Sequence, residues 1–101
     1  MPLTLTDVQR HIKDIYGSKD GSRGLEGTYM WFMEEVGELA SSLRGCSKHD
    51  QPGEFADVLA WLATLANIAG IDLEAAYNEK YGSGCPGCHK TPCACAAEEK
   101  P

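Results

Sequence analysis

The stretch from Val58 to Ala69 constrains this chain more than any other. Val58, Leu59, Ala60, Trp61, Leu62, Ala63, Leu65, Ala66, Ile68 and Ala69 leave only Thr64 and Asn67 as polar interruptions. At helical spacing these apolar residues point in every direction, and a helix that is hydrophobic all round must be covered all round. Continued to Ile71, the run is still too short to cross a bilayer, so it has to be buried in protein. A chain of 101 residues has room for one domain with a limited core. Its remaining segments can hardly cover this helix alone, and part of the surface is expected to pack against a second subunit.

The rest of the chain reads as further helices. A first is predicted over about Asp7–Tyr16, with Thr6 and Gln9 spaced as a capping box and Val8, Ile12 and Ile15 on one face. Residues 17–24, rich in Gly, Ser and charge, read as a flexible loop. A second helix spans about Leu25–Arg44, where Leu25, Tyr29, Phe32, Val36, Leu39 and Leu43 recur at three- and four-residue steps. Gly37 within it is expected to admit close approach of another helix. The apolar helix starts near Asp50–Gly53 and ends at Gly70, and a fourth covers about Leu73–Tyr81 with Asp72 as N-cap. No strand pattern competes. The expected architecture is all-α, with antiparallel helices forming a four-helix-bundle-type oligomer and a short cysteine-rich C-terminal tail. The helical domain is expected over 1–82 and the tail, with a disordered end, over 83–101.

Charge sits where such a fold can least tolerate it. The second helix carries Glu34, Glu35 and Glu38; the apolar helix opens with Glu54 and Asp57. Residues three apart share a helix face, so Glu35 and Glu38 project together, as do Glu54 and Asp57. The intervening fifteen residues suffice for a helix end, a turn and an antiparallel return that sets the pairs face to face. Glutamates along one helix are ordinarily a solvated face. Two pairs on two helices poor in other charges are different, because crowded carboxylates repel one another and neither acidic turn holds a Lys or Arg. A divalent cation relieves the repulsion, and oxygen-only ligands favour a hard ion, magnesium or else manganese. Magnesium held by carboxylates points to phosphoanhydride or phosphate-ester hydrolysis.

Glu34-Glu35-Val36-Gly37-Glu38-Leu39 followed by Glu54-Phe55-Ala56-Asp57-Val58 resembles the EExxE…ExxD signature of the MazG-like all-α nucleoside triphosphate pyrophosphohydrolases. The resemblance covers roughly residues 25–82. It implies hydrolysis between the α and β phosphates to a monophosphate and pyrophosphate, and assembly as a homodimer or homotetramer. It also implies that Glu35, Glu38, Glu54 and Asp57 are the metal ligands, and that Glu34 orients or deprotonates the attacking water. Lys80 is similar to a basic position late in that family. Arg44, Lys48, Arg23 and Lys19 are further candidates for phosphate, Trp61 and then Trp31 for stacking on a base, and Asn78 for the sugar or phosphate. Broad or non-canonical deoxynucleoside triphosphates are the expected substrates, with nucleotide-pool housecleaning as the role. The competing reading is a non-catalytic helical oligomeric module with a metal-stabilised tail.

Four of the five cysteines crowd into Cys85-Pro86-Gly87-Cys88-His89-Lys90-Thr91-Pro92-Cys93-Ala94-Cys95. Four thiolates suit tetrahedral zinc, although the CxC half is tighter than a CxxC, and His89 can replace a sulfur. A redox-active or disulfide tail is the alternative. CxxCH also matches a haem attachment site, but neither export nor a distal ligand is visible. Cys46 reads as a lone thiol. The net charge of −6 argues against duplex nucleic acid as a partner. The first residues lack the basic-then-apolar pattern of a signal peptide, and no membrane association is expected, so the expectation is a cytoplasmic protein.

Overall fold

The computed structural model describes residues 3–45 and 50–98. They form three helices and no strand: α1 (Leu5–Leu43), α2 (Gln51–Ala69) and α3 (Leu73–Tyr81). Cys46, Lys48 and the chain beyond Glu98 lie outside the described residues.

α1 begins two residues earlier than Thr6 would have set it. The capping box is made by Thr4, whose hydroxyl accepts from the Asp7 amide while the Asp7 carboxylate accepts from the Thr4 amide. Gln9, read from sequence as a capping residue, instead spans the fold. Its Nε2 donates to Asn67 Oδ1 (3.0 Å) and to the Ile71 carbonyl (2.8 Å), and its Oε1 accepts from the Leu73 amide at 2.7 Å. Asn67 Nδ2 returns a bond to the Gln9 carbonyl at 3.0 Å. These bonds fix the N-terminal part of α1 against the turn between α2 and α3.

Residues 17–23 are helical, not a loop. The glycine-rich composition suggested a break across this whole segment, but the break falls at Gly24 alone, with φ 75° and ψ 172°. That region is essentially closed to residues with a Cβ. Thirty-nine straight helical residues would reach about 58 Å, whereas the longest extent of the molecule is 43 Å; the kink at Gly24 makes up the difference.

α2 runs antiparallel to α1. Gln51 Nε2 reaches the Ser42 carbonyl at one end and Asn67 meets Gln9 at the other. Pro52 stands in the first turn, where its missing N–H is harmless, and Gly70 closes the helix in the left-handed conformation. Asp72 caps α3 through the Ala75 amide.

The buried apolar residues among those described are only Ala63, Ala66 and Cys85. Phe55, Leu59 and Leu62 on α2, and Tyr29, Met30 and Met33 on α1, remain exposed on the single chain. The radius of gyration is 16.0 Å, against about 13 Å for a compact domain of this length. A Cβ on Gly37 would meet nothing within 4 Å, so the close approach expected there does not occur within one chain. No single helix among the described residues is long and apolar enough to cross a membrane.

Candidate active site

The antiparallel pairing of α1 and α2 brings the acidic turns together. One carboxylate oxygen each from Glu35, Glu38 and Glu54 lie within 4.8 Å of one another. Asp57, one turn along α2 from Glu54, is exposed but close enough for its charge to act on both Glu35 and Glu54. Desolvation, a hydrogen bond that the protonated Glu35 donates to Glu38, and the charges of Glu38, Asp57 and Glu54 push the Glu35 carboxyl up to about 7. Desolvation, then the charges of Glu38, Asp57 and Asp50, push Glu54 up as well.

No cation among the described residues answers this charge. The ion pairs there, Arg10–Asp7 and Arg23–Asp20, lie elsewhere. Glu35 Oε2 and Glu54 Oε2 are buried without a hydrogen-bond partner. A buried carboxylate oxygen without a donor is costly, and two of them on facing helices fit a divalent cation between them. Glu34 is exposed, one step around α1, and is not part of the three-carboxylate cluster.

Beside Asp57 a cleft of about 190 Å³ opens between α2 and the N-terminal half of α1, lined by Tyr16, Lys19, Arg23, Ala60, Trp61 and Thr64. Arg23 is bound to the buried Asp20 and lies over the Trp61 ring, 5.0 Å from its centroid. Trp31 stacks on Trp61 with centroids 6.2 Å apart and planes at 16°. One wall of the cleft is thus aromatic, another cationic, and its end meets an acidic residue. Lys80 and Asn78 stand on α3 and do not line it: the Lys80 ammonium lies 5.9 Å from the Tyr81 ring centroid, and the Asn78 carbonyl accepts from the Gly82 amide.

Reading residues 17–24 as a loop hid the cationic wall. Tyr16, Lys19 and Arg23 follow one another at three- and four-residue steps, a single face once the helix is seen to continue to Gly24.

The described residues are helical apart from turns and the C-terminal segment, and their facing carboxylates adjoin a mixed aromatic and cationic cleft, an arrangement suited to a phosphate-bearing substrate. Residues 23–89 match the MazG nucleotide pyrophosphohydrolase domain. A cyanophage S-2L protein named dATP/dGTP diphosphohydrolase is 36% identical over 80 residues, covering 79% of this chain and 72% of the phage protein. The chain belongs to the MazG nucleotide pyrophosphohydrolase family and is a nucleotide pyrophosphohydrolase.

Proposed function

We propose that this enzyme hydrolyses nucleoside triphosphates, deoxynucleotides and aberrant nucleotides foremost, to the monophosphate and pyrophosphate in a magnesium-dependent reaction that cleans the nucleotide pool. The observation that carries the metal requirement is the pair of buried, unpartnered oxygens Glu35 Oε2 and Glu54 Oε2 on facing helices. Glu35, Glu38 and Glu54 would hold the ion, with Asp57 beside them; manganese suits the same donors. Magnesium bound there supplies positive charge to the phosphates and lowers the pKa of water.

The chain's own residues supply the rest. Lys19 and Arg23 bind and orient the phosphate chain from the cationic side of the cleft. Asp20 fixes Arg23 from behind, so the guanidinium is held in place before substrate arrives. Trp61 offers its ring to the base. Glu34, one step around α1 from Glu35, is the candidate to orient the attacking water or take its proton. Lys80 and Asn78 would reach substrate only where a second subunit carries α3 over the cleft.

The exposed stripe of Phe55, Leu59 and Leu62, with the exposed apolar residues of α1, supports a homodimer or homotetramer. A cytoplasmic location suits both the substrates and four free thiols. The name of the cyanophage relative puts purine deoxynucleotides at the head of the substrate panel.

The test is pyrophosphate release from canonical and modified nucleoside triphosphates, with magnesium and with chelator, for the native chain and Glu38→Gln. The expected result is magnesium-dependent monophosphate and pyrophosphate from the native chain, and none from a folded Glu38→Gln. A folded, metal-loaded protein that cleaves no nucleotide would return the acidic cluster to a structural or partner-binding role.

A further inference from the structure

The segment after α3 carries a second ligand set, which nucleotide hydrolysis does not use. The sulfurs of Cys85, Cys88, Cys93 and Cys95 all lie within 4.8 Å of one another. Cys85 and Cys93 are separated by 3.5 Å, Cys85 and Cys95 by 3.8 Å, and Cys88 and Cys93 by 4.0 Å. A disulfide would bring two sulfurs to about 2.0 Å; all four are free thiols. With metal–sulfur bonds of about 2.3 Å, the edge of a zinc–thiolate tetrahedron is about 3.8 Å. The observed separations lie on either side of that length, and the two sulfurs of the tight CxC half, Cys93 and Cys95, share the 4.8 Å cluster with the CxxC pair.

The backbone around the cluster is arranged for thiolates. The amides of Gly87, Ala94 and Cys95 donate to the sulfurs of Cys85, Cys88 and Cys93, each at 3.3 Å. Outer-sphere bonds of this kind orient ligands and stabilise their charge. The first knuckle is closed by the Cys85 amide on the Lys90 carbonyl and the His89 amide on the Cys85 carbonyl. Gly84 has φ 106°, and a Cβ there would sit 2.8 Å from Thr91 Oγ1 and 2.9 Å from the Lys90 carbonyl carbon. Cys85 is buried, whereas His89 is exposed and does not belong to the ligand cluster. Residues 83–98 contain no helix or strand that would hold the sulfurs together by its own hydrogen bonds.

We propose that Cys85, Cys88, Cys93 and Cys95 form a closed structural site for one thiophilic divalent cation, zinc, which folds the 85–95 segment against the end of α3. Four protein ligands leave no open position for substrate, which separates this site from a catalytic one. Thiolates select a soft or borderline ion and carboxylates a hard one, so zinc and the magnesium expected at Glu35, Glu38 and Glu54 do not compete. With little other structure in the segment, the free energy of metal binding is the free energy of folding it.

The full chain, purified without chelator and dialysed against magnesium buffer, is expected to retain about one zinc per chain by elemental analysis. Refolded with cobalt(II), it should show the intense visible bands and sulfur-to-cobalt charge transfer of a tetrahedral four-thiolate site. Cys88→Ser and Cys95→Ser should each lose that spectrum and the bound zinc, while Glu38→Gln and Cys46→Ser keep both. Wild-type protein with no stoichiometric metal, or with Cys85–Cys95 disulfides in its unreduced peptide masses, would overturn the proposal. So would zinc that survives in Cys95→Ser. Because metal content and spectrum are the readouts, failure here leaves the pyrophosphohydrolase reading intact.

Discussion

Replacing Glu35 by glutamine removes one negative charge from the gap between α1 and α2 while keeping the side chain's shape. In the native protein this carboxyl holds its proton to about 7, against 4.5 for an unperturbed glutamate. Between those values the folded state binds more protons than the unfolded chain, so raising the pH across that interval removes stability, and the loss is complete above it. A displacement of that size is worth at most about 3 kcal/mol. The side chain is only partly buried, and screening by solvent brings the figure down to about 1 kcal/mol. Glu54 is shifted in the same direction and adds to the effect. Glutamine resembles the protonated acid: it carries no charge, and its amide can donate to Glu38.

Thermal unfolding at fixed protein concentration, at pH 5 and pH 8, with chelator or with magnesium, reads this out. With chelator, the native chain should melt lower at pH 8 than at pH 5, and magnesium should restore the loss at pH 8. Glu35→Gln with chelator at pH 8 should melt above the native chain by about 4–8 °C, the shift that about 1 kcal/mol produces in a domain of this size. Magnesium should raise it little, and turnover should be absent. A Glu35→Gln protein that melts below the native chain at pH 8 without metal would show the carboxylate to be a satisfied structural group, and the reasoning from its unpartnered oxygen would fail.

Lys19→Ala should raise KM for nucleoside triphosphates by about tenfold, the loss of roughly one charge-assisted hydrogen bond, with little change in melting temperature. Arg23→Ala should do more damage to stability, because it strands the buried Asp20 carboxylate; about 3 kcal/mol is expected in chemical denaturation, and adding Asp20→Asn should recover part of it. Gln9→Ala removes the three side-chain bonds to Asn67, Ile71 and Leu73 and should cost about 1–3 kcal/mol in the same assay. Gly24→Ala should cost about 1–3 kcal/mol through backbone strain alone, since a Cβ there would meet nothing within 4 Å; an unchanged denaturation midpoint would mean the kink is not what bends α1.

The acidic residues were legible because helical spacing and a short connection are enough to oppose Glu35 and Glu38 to Glu54. α2 and α3 were legible because Pro52 and Gly70 act through their own backbone and Asp72 through its carboxylate on an amide three residues along. The segment at 17–23 was not, since its glycines lower helix propensity by about 1 kcal/mol each relative to alanine and local composition says nothing of what lies across from it. There the Asp20–Arg23 pair and the contact of Arg23 with Trp61 are tertiary facts that outweigh propensity. Gln9 shows the same limit: its spacing from Thr6 is that of a capping box, but its partners lie about sixty residues away in sequence. The cysteine spacing revealed a ligand set but not its geometry, because only the fold of residues 84–91 decides whether a CxC pair can share a tetrahedron with a CxxC.

The exposed apolar stripe on α2 and the crowded carboxylates at its start follow from one requirement. In the proposed oligomer, α2 lies between α1 and a second subunit, shielded from water along most of its length, and charges at its edge lose their hydration along with it. In a solvated helix Glu54 and Asp57 would be ordinary surface acids and bind an ion weakly. Set against Glu35 and Glu38 in a partly dry gap, they repel one another strongly enough that a cation becomes the stable solution. If α2 is covered by the proposed second subunit, loss of that subunit should weaken metal binding even where none of its side chains touches the ion. Leu62→Glu, placed on the exposed stripe away from the carboxylates, separates the two effects: it should yield monomers in sedimentation and a weaker magnesium dependence of the melting temperature. Monomers with undiminished magnesium affinity would show that one chain alone is enough to dry the site.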